Sequence, residues 1–294
     1  MRGLKWKLAG NALSLLVTVL LGGMLSATLV RLAPGFNTDE RELDPHLSAE
    51  SVQALRNARH QDGNIFHFYF SYMQRAASGD LGTSLALGQP VRTLLRERIP
   101  LTLRLLTMGL ALAWILTIAL SLSAAWLRLS IYDTVTTAVS GALLCIPAAV
   151  LALLSVLWSV PGSLAIALIV FPRSYRYARN LLVKAYSRPH IIAARAKGLG
   201  ESRILFWHVV PVVAPQLLAV AGVSVSVAVG AAIPVEALCG LPGIGQLAWQ
   251  AALARDLPLL VNITIMVTLV TLLANSGADV IGSMVRGSET RQEA

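Results

Sequence analysis

Five stretches of this chain run for more than twenty residues without a charged side chain: Leu8–Val30, Leu105–Leu127, Thr134–Pro172, Val212–Val235 and Leu257–Ala278. That pattern restricts the fold more than any other feature. About 20 largely apolar residues carry a helix across the roughly 30 Å hydrocarbon core of a bilayer. Inside that core every backbone N–H and C=O must be satisfied within the segment, so apolar runs of this length become helices. The third run is close to twice one span, and Pro161-Gly162 interrupts it. That pair marks a turn, so the run reads as a helical hairpin, Thr134–Val160 one way and Ser163 onward back. The expectation is an all-α polytopic membrane protein with six transmembrane helices.

Composition agrees. The chain is 55% hydrophobic and 13% charged, against about 25% charged in soluble domains. A net charge of +9 would suit nucleic acid, but the basic residues lie mostly in loops flanking apolar spans, where they favour the cytosolic side and anionic headgroups. The first run is longer than the roughly 7–15 residues of a signal core, and no clear small-residue cleavage site follows it, so it reads as a retained helix. Cys145 and Cys239 lie far apart in or beside apolar segments and read as buried free thiols.

Charge placement sets the topology. Arg2, Lys5 and Lys7 precede the first span, and the segment 173–207 carries eight Arg or Lys side chains against the single acid Glu201. By the positive-inside rule both belong to the cytoplasm, which places the N- and C-termini on the cytoplasmic side of a bacterial inner membrane. The spans then fall at about 101–128, 134–160, 163–183, 212–235 and 257–280 after a first helix within 1–33. A cytoplasmic loop covers 184–211, and a short cytoplasmic tail covers 287–294. Arg173, Arg176 and Arg179 recur every third residue of the fourth span, where long side chains can snorkel to headgroups. The polar segment 34–100 falls outside. Within it Ser48–Arg59 is a weak helix pattern, and the aromatic-rich Ile65–Arg75 reads as an amphipathic helix at the membrane interface.

Catalytic and metal-binding patterns are missing. There is no GxxxxGK[ST] phosphate loop, no His-Glu-x-x-His, and no Gly-x-Ser-x-Gly elbow. The five histidines do not cluster, and neither a metal nor a cofactor is expected. The glycines of Gly240-Leu241-Pro242-Gly243-Ile244-Gly245 follow no strand, so they read as a tight external turn rather than a phosphate cradle. The basic loop holds His190-Ile191-Ile192-Ala193-Ala194-Arg195-Ala196-Lys197-Gly198-Leu199-Gly200. Its Ala-rich run ended by Gly reads as a short helix with its C-terminal stop.

Three elements, in order, carry a resemblance. The first is Gly79-Asp80-Leu81-Gly82-Thr83-Ser84 with Gly88-Gln89-Pro90-Val91 and Ile99-Pro100-Leu101-Thr102. The second is Ala-Arg-Ala-Lys-Gly-Leu at 194–199 followed by His208 and Pro215. The third is Glu236 before the Gly240–Gly245 turn, then Arg255-Asp256-Leu257-Pro258. Together they span about residues 79–286 and resemble the ABC importer permeases of the dipeptide/oligopeptide/nickel branch. Leu241 stands where an aromatic residue is usual, Arg104 where an acid or small residue is usual, and Ala193-Ala194 where the wider family has an acid. The resemblance implies a coupling helix that seats in a groove of the ATPase subunit, with Ala194, Arg195, Ala196, Lys197, Gly198, Leu199 and His208 as coupling residues. It also implies an external gate or turn built by Glu236, Gly240, Pro242, Gly243 and Gly245. The implied partners are a second homologous permease subunit in a heterodimer, two ABC ATPase subunits and an external solute-binding protein. The implied cargo is di- or oligopeptides, with nickel chelates or another small solute as the alternative. A secondary transporter would need mid-membrane charges or broken helices; Arg104 and Asp279 lie near span ends instead.

Overall fold

A computed structural model describes residues 78–127 and 130–289, with the single positions Val17, Leu21, Met24, Thr28 and Gln74. The expected first span, the helix at Ser48–Arg59, the aromatic segment Ile65–Arg75 and the end of the tail lie outside the described residues. What is described is helical apart from turns and one isolated bridge, Thr83 to Pro90. The helices are α1 (Val91–Leu127), α2 (Ser130–Cys145), α3 (Ala148–Leu157), α4 (Gly162–Tyr186), α5 (Pro189–Ala196), α6 (Glu201–Ile204), α7 (Val210–Leu238), α8 (Ile244–Leu253) and α9 (Leu257–Glu289); a π-helical turn, Leu205–Val209, joins α6 to α7.

Among the described residues, three helices are long and apolar enough to cross a membrane: α1, the continuous 38 residues Glu201–Leu238, and the first 22 residues of α9. The apolar runs from Leu105, Val212 and Leu257 therefore emerge as single helices. Helix α1 begins ten residues before the expected start of its span, because Pro90 fixes an N-terminal boundary and Pro100 falls inside the helix rather than ending it. The expected single helix over 134–160 is not one helix. Helices α2 and α3 meet at 98° across Ile146-Pro147, since proline disfavours α conformation in the residue before it and cannot donate to the ladder. The turn before α4 lies where Pro161-Gly162 places it; Pro161 is the N-cap and Ser159 has φ +52°.

The chain divides into two compact units, and the boundary runs through α1, α8 and α9. The larger, 99–246 with 270–294, has its core where α1, α3, α4 and α7 pack. Ile166, Ala167, Val170 and Tyr175 of α4 meet Ala228, Ala231, Ala232 and Val235 of α7 there. The α4 core positions recur at three- and four-residue spacing, as a helix burying one face requires. Half of the buried α4 positions are alanine or serine, which lets backbones approach closely where lipid supplies no hydrophobic drive. Hydroxyls join the helices inside this core: Ser174 to Ser224 at 3.0 Å, and Tyr175 to Thr136 at 2.6 Å.

In the smaller unit, 1–98 with 247–269, the described part is the loop 78–90, the first turns of α1, most of α8 and the start of α9. Asp256, 1% exposed, holds the loop: its Oδ2 accepts from the Ser84 hydroxyl at 2.5 Å and the Ala86 N–H at 3.1 Å. Its Oδ1 accepts from the Leu259 N–H at 3.2 Å, capping α9. Asn262 donates to the Leu81 carbonyl at 2.9 Å.

Candidate functional site

The basic loop builds a defined helix. Arg188 enters in extended conformation, Pro189 takes the first turn, where its missing N–H costs nothing, and α5 runs to Ala196. One face is pinned: Ile191 and Ala194 are buried against Leu182, Ala185, Ile204, Leu205, Val209 and Val213. The other face is open: Ile192 is 60% exposed, and Ala193, Ala196 and Lys197 are exposed beside it. The helix ends in a Schellman motif. The Gly198 N–H donates to the Arg195 carbonyl at 2.9 Å and the Leu199 N–H to the Ala194 carbonyl at 3.2 Å. Gly198 has φ +78°, a conformation that side chains with a Cβ disfavour, and a Cβ there would meet no other atom within 4 Å. The constraint at this position is therefore backbone conformation alone.

Arg195 turns back over the loop. Its Nε donates to Glu201 Oε1 at 2.8 Å and its Nη2 to Oε2 at 3.4 Å, and the guanidinium lies 5.7 Å from the Tyr186 ring centroid. Burial, and secondarily the nearby Glu201, push the Tyr186 phenol above its usual range, so it stays neutral. The partners of the ion pair are 35% and 43% exposed, so the pair fixes geometry more than it stabilises. Ala194, Arg195, Ala196, Lys197, Gly198 and Leu199 thus form one continuous element. His208 stands apart, half-buried in the π-helical turn; among the described residues no hydrogen bond joins it to them.

The second set of expected residues lies at the end of α7. Glu236 is fully buried, and its Oε2 accepts from the N–H groups of Gly245 at 2.6 Å and Gln246 at 3.3 Å. A carboxylate at those amides complements the positive end of α8. Gly240 turns the chain at φ +64°, Pro242 is exposed, and Gly243 and Gly245 are buried. A Cβ on Gly243 would overlap the Glu236 carboxylate, and one on Gly245 would lie 2.6 Å from the Ala232 carbonyl oxygen. The segment expected as a tight turn alone is thus a turn followed by the three-turn helix α8. Its apolar positions Ile244, Leu247 and Ala251 are buried.

Two polar contacts escape sequence reasoning. Asp256 and Ser84 each lie in a quoted motif, but 172 residues separate them and nothing local pairs them. Arg179 of the three-arginine series is half-buried and forms a two-pronged ion pair with Asp133; only the presence of a lone acid at the head of α2 hints at it.

Residues 117–286 match the family model of the binding-protein-dependent transport system inner membrane component. The chain is 30% identical over 267 residues to the oligopeptide transport system permease protein OppB of Salmonella typhimurium, covering 83% of this chain and 85% of that protein. Escherichia coli K12 OppB gives the same identity and coverage. Haemophilus influenzae OppB is 27% identical over 280 residues, covering 87% and 90%. Among solved structures, the inward-facing MetNI methionine ABC transporter shares the fold, with a TM-score of 0.58 at 18% identity over 66% of this chain and 97% of that one. With its apolar helices, ordered motifs and family match over more than half its length, this chain belongs to the family of binding-protein-dependent transport system inner membrane components, the ABC transporter permeases.

Proposed function

We propose that this chain is one of two permease subunits of an ATP-driven importer of di- or oligopeptides. It supplies half of the transmembrane path and couples it to separate ATPase subunits through α5. An external solute-binding protein delivers the cargo, and a second, homologous permease completes the path as a heterodimer. ATP hydrolysis belongs to the ATPase chains, since this sequence has no phosphate loop. Peptide cargo is supported by the OppB relatives over more than four fifths of the chain.

The observation that carries the coupling role is the asymmetry of α5. Its inner face is locked into the core by Ile191 and Ala194, its outer face is small and exposed, and Gly198 stops it in a left-handed turn. A short helix fixed on one side and bare on the other transmits a displacement as a rigid body, which is what biasing a two-state bundle from an attached subunit requires. Gly198→Val tests it. The substitution strains the stop by roughly 1–2 kcal/mol and, lacking close neighbours, should leave membrane insertion intact. Association of the ATPase subunits should weaken and uptake should fall, read by co-purification and transport in the same membranes. Transport at the parental rate with the ATPases fully bound would falsify the assignment.

A further inference from the structure

Arg195 stands on the flank of α5, not on its open face. At about 100° per residue it lies about 40° round the helix from Ile191, which is fully buried. The exposed Ile192, Ala193 and Ala196 centre on a direction roughly 100° further round. From the flank the guanidinium reaches inward. Its Nε and Nη2 both donate to Glu201, and its face lies over the Tyr186 ring. These partners belong to different elements. Tyr186 ends α4, and Glu201 opens the continuous 38-residue helix that runs to Leu238.

Only Lys197-Gly198-Leu199-Gly200 stands between α5 and Glu201. A Cβ at either glycine would meet nothing within 4 Å, so packing does not stiffen those two positions, and glycine leaves the backbone freest to turn. The bond from Arg195 to Glu201 spans this junction. A planar guanidinium held along one edge by a carboxylate and on one face by a ring has a fixed orientation. The pair is neutral as a whole, so it contributes geometry rather than charge to the outer face. We infer that Arg195 is a positioning residue that locks α5 to the adjoining ends of α4 and of the Glu201–Leu238 helix, and is not a contact to the ATPase subunit. The inference rests on the coupling reading of α5. With the lock closed, a displacement of α5 reaches the spanning helix instead of being absorbed at the two glycines.

The test neutralises and then exchanges the charges. Importers with Arg195→Gln, with Glu201→Gln, and with Arg195→Glu and Glu201→Arg together are compared with the parent in vesicles. ATPase subunits and binding protein are present, and a tripeptide library is the cargo. Each single variant should keep its ATPases and import about threefold less peptide per ATP hydrolysed, the few-fold scale of a half-exposed ion pair. The exchanged pair should regain at least half of the parental ratio. Amide exchange over 197–201 should rise in the single variants and fall back in the exchanged pair. Single variants at the parental ratio, or an exchanged pair as low as they are, overturn the inference. Release of the ATPases by Arg195→Gln but not by Glu201→Gln makes Arg195 a contact and overturns it too. Ile192→Glu, on the outer face, separates these results from the coupling reading. If that variant keeps its ATPases bound and its uptake parental, the coupling reading itself is removed. If the parent imports no tripeptide, the cargo reading is removed, and amide exchange decides for Arg195.

Discussion

Gly245 and Gly230 show how one residue type carries different constraints within thirty residues. Beside Gly245 the carbonyl oxygen and backbone of Ala232 leave no room for a methyl group, whereas nothing lies within 4 Å of a Cβ on Gly230. Gly245→Ala must move backbone, an overpacking that costs about 1–3 kcal/mol, and it should lower the thermal unfolding midpoint of the detergent-solubilised protein. Gly230→Ala, in the open interior of a helix, should leave the midpoint unchanged or raise it, by up to about 1 kcal/mol of helix propensity. Equal midpoints would contradict the packing around Gly245. At this scale the sequence is legible where chemistry is local. A glycine after an alanine-rich run marks the left-handed stop at Gly198, because only the backbone of that turn is involved. Glu236 is readable as a motif member but not as a helix cap, since its role depends on amides brought back by the following turn.

Among the elements, α5 is the one whose two faces make opposite demands. Ile191 is fully buried and Ile192 is 60% exposed. Ile191→Ala removes core volume and should cost about 2–5 kcal/mol if the cavity does not collapse. Local opening then becomes easier, so amide exchange over 189–199 should accelerate. Ile192→Ala should leave exchange there unchanged and act only on whatever docks. Similar exchange in the two variants would show that α5 is not seated as described. The break between α2 and α3 was signalled by Ile146-Pro147, but the absence of charge across 134–160 argues for one span, and hydropathy does not report direction. Helix α8 carries an apolar period at Ile244, Leu247 and Ala251, and the adjacent glycines and proline outweigh it in a sequence reading. The π-helical turn at 205–209 has no compositional mark.

On the scale of the whole molecule, topology is the property for which the sequence makes the most direct prediction. Lysine and arginine placement depends on no contact, so the membrane reads it directly. A cysteine at Ser202, in a background without Cys145 and Cys239, should react with an impermeant thiol reagent only after the inner membrane is opened. Reaction in intact, outer-permeabilised cells would reverse the orientation. What charge placement cannot supply is long-range pairing, and the bond from Ser84 to Asp256 has a consequence in time. The chain is made from its N-terminus, so the loop at 79–90 emerges 172 residues before its anchor. At about 5–20 residues per second, that is a wait of roughly 10–30 s. Until then Leu85 and Leu87 hang on an unfastened strap. Fastening requires synthesis to have passed Asp256, so a closed strap records that the chain has been made at least that far. A chain halted before Asp256 leaves that segment without its anchor.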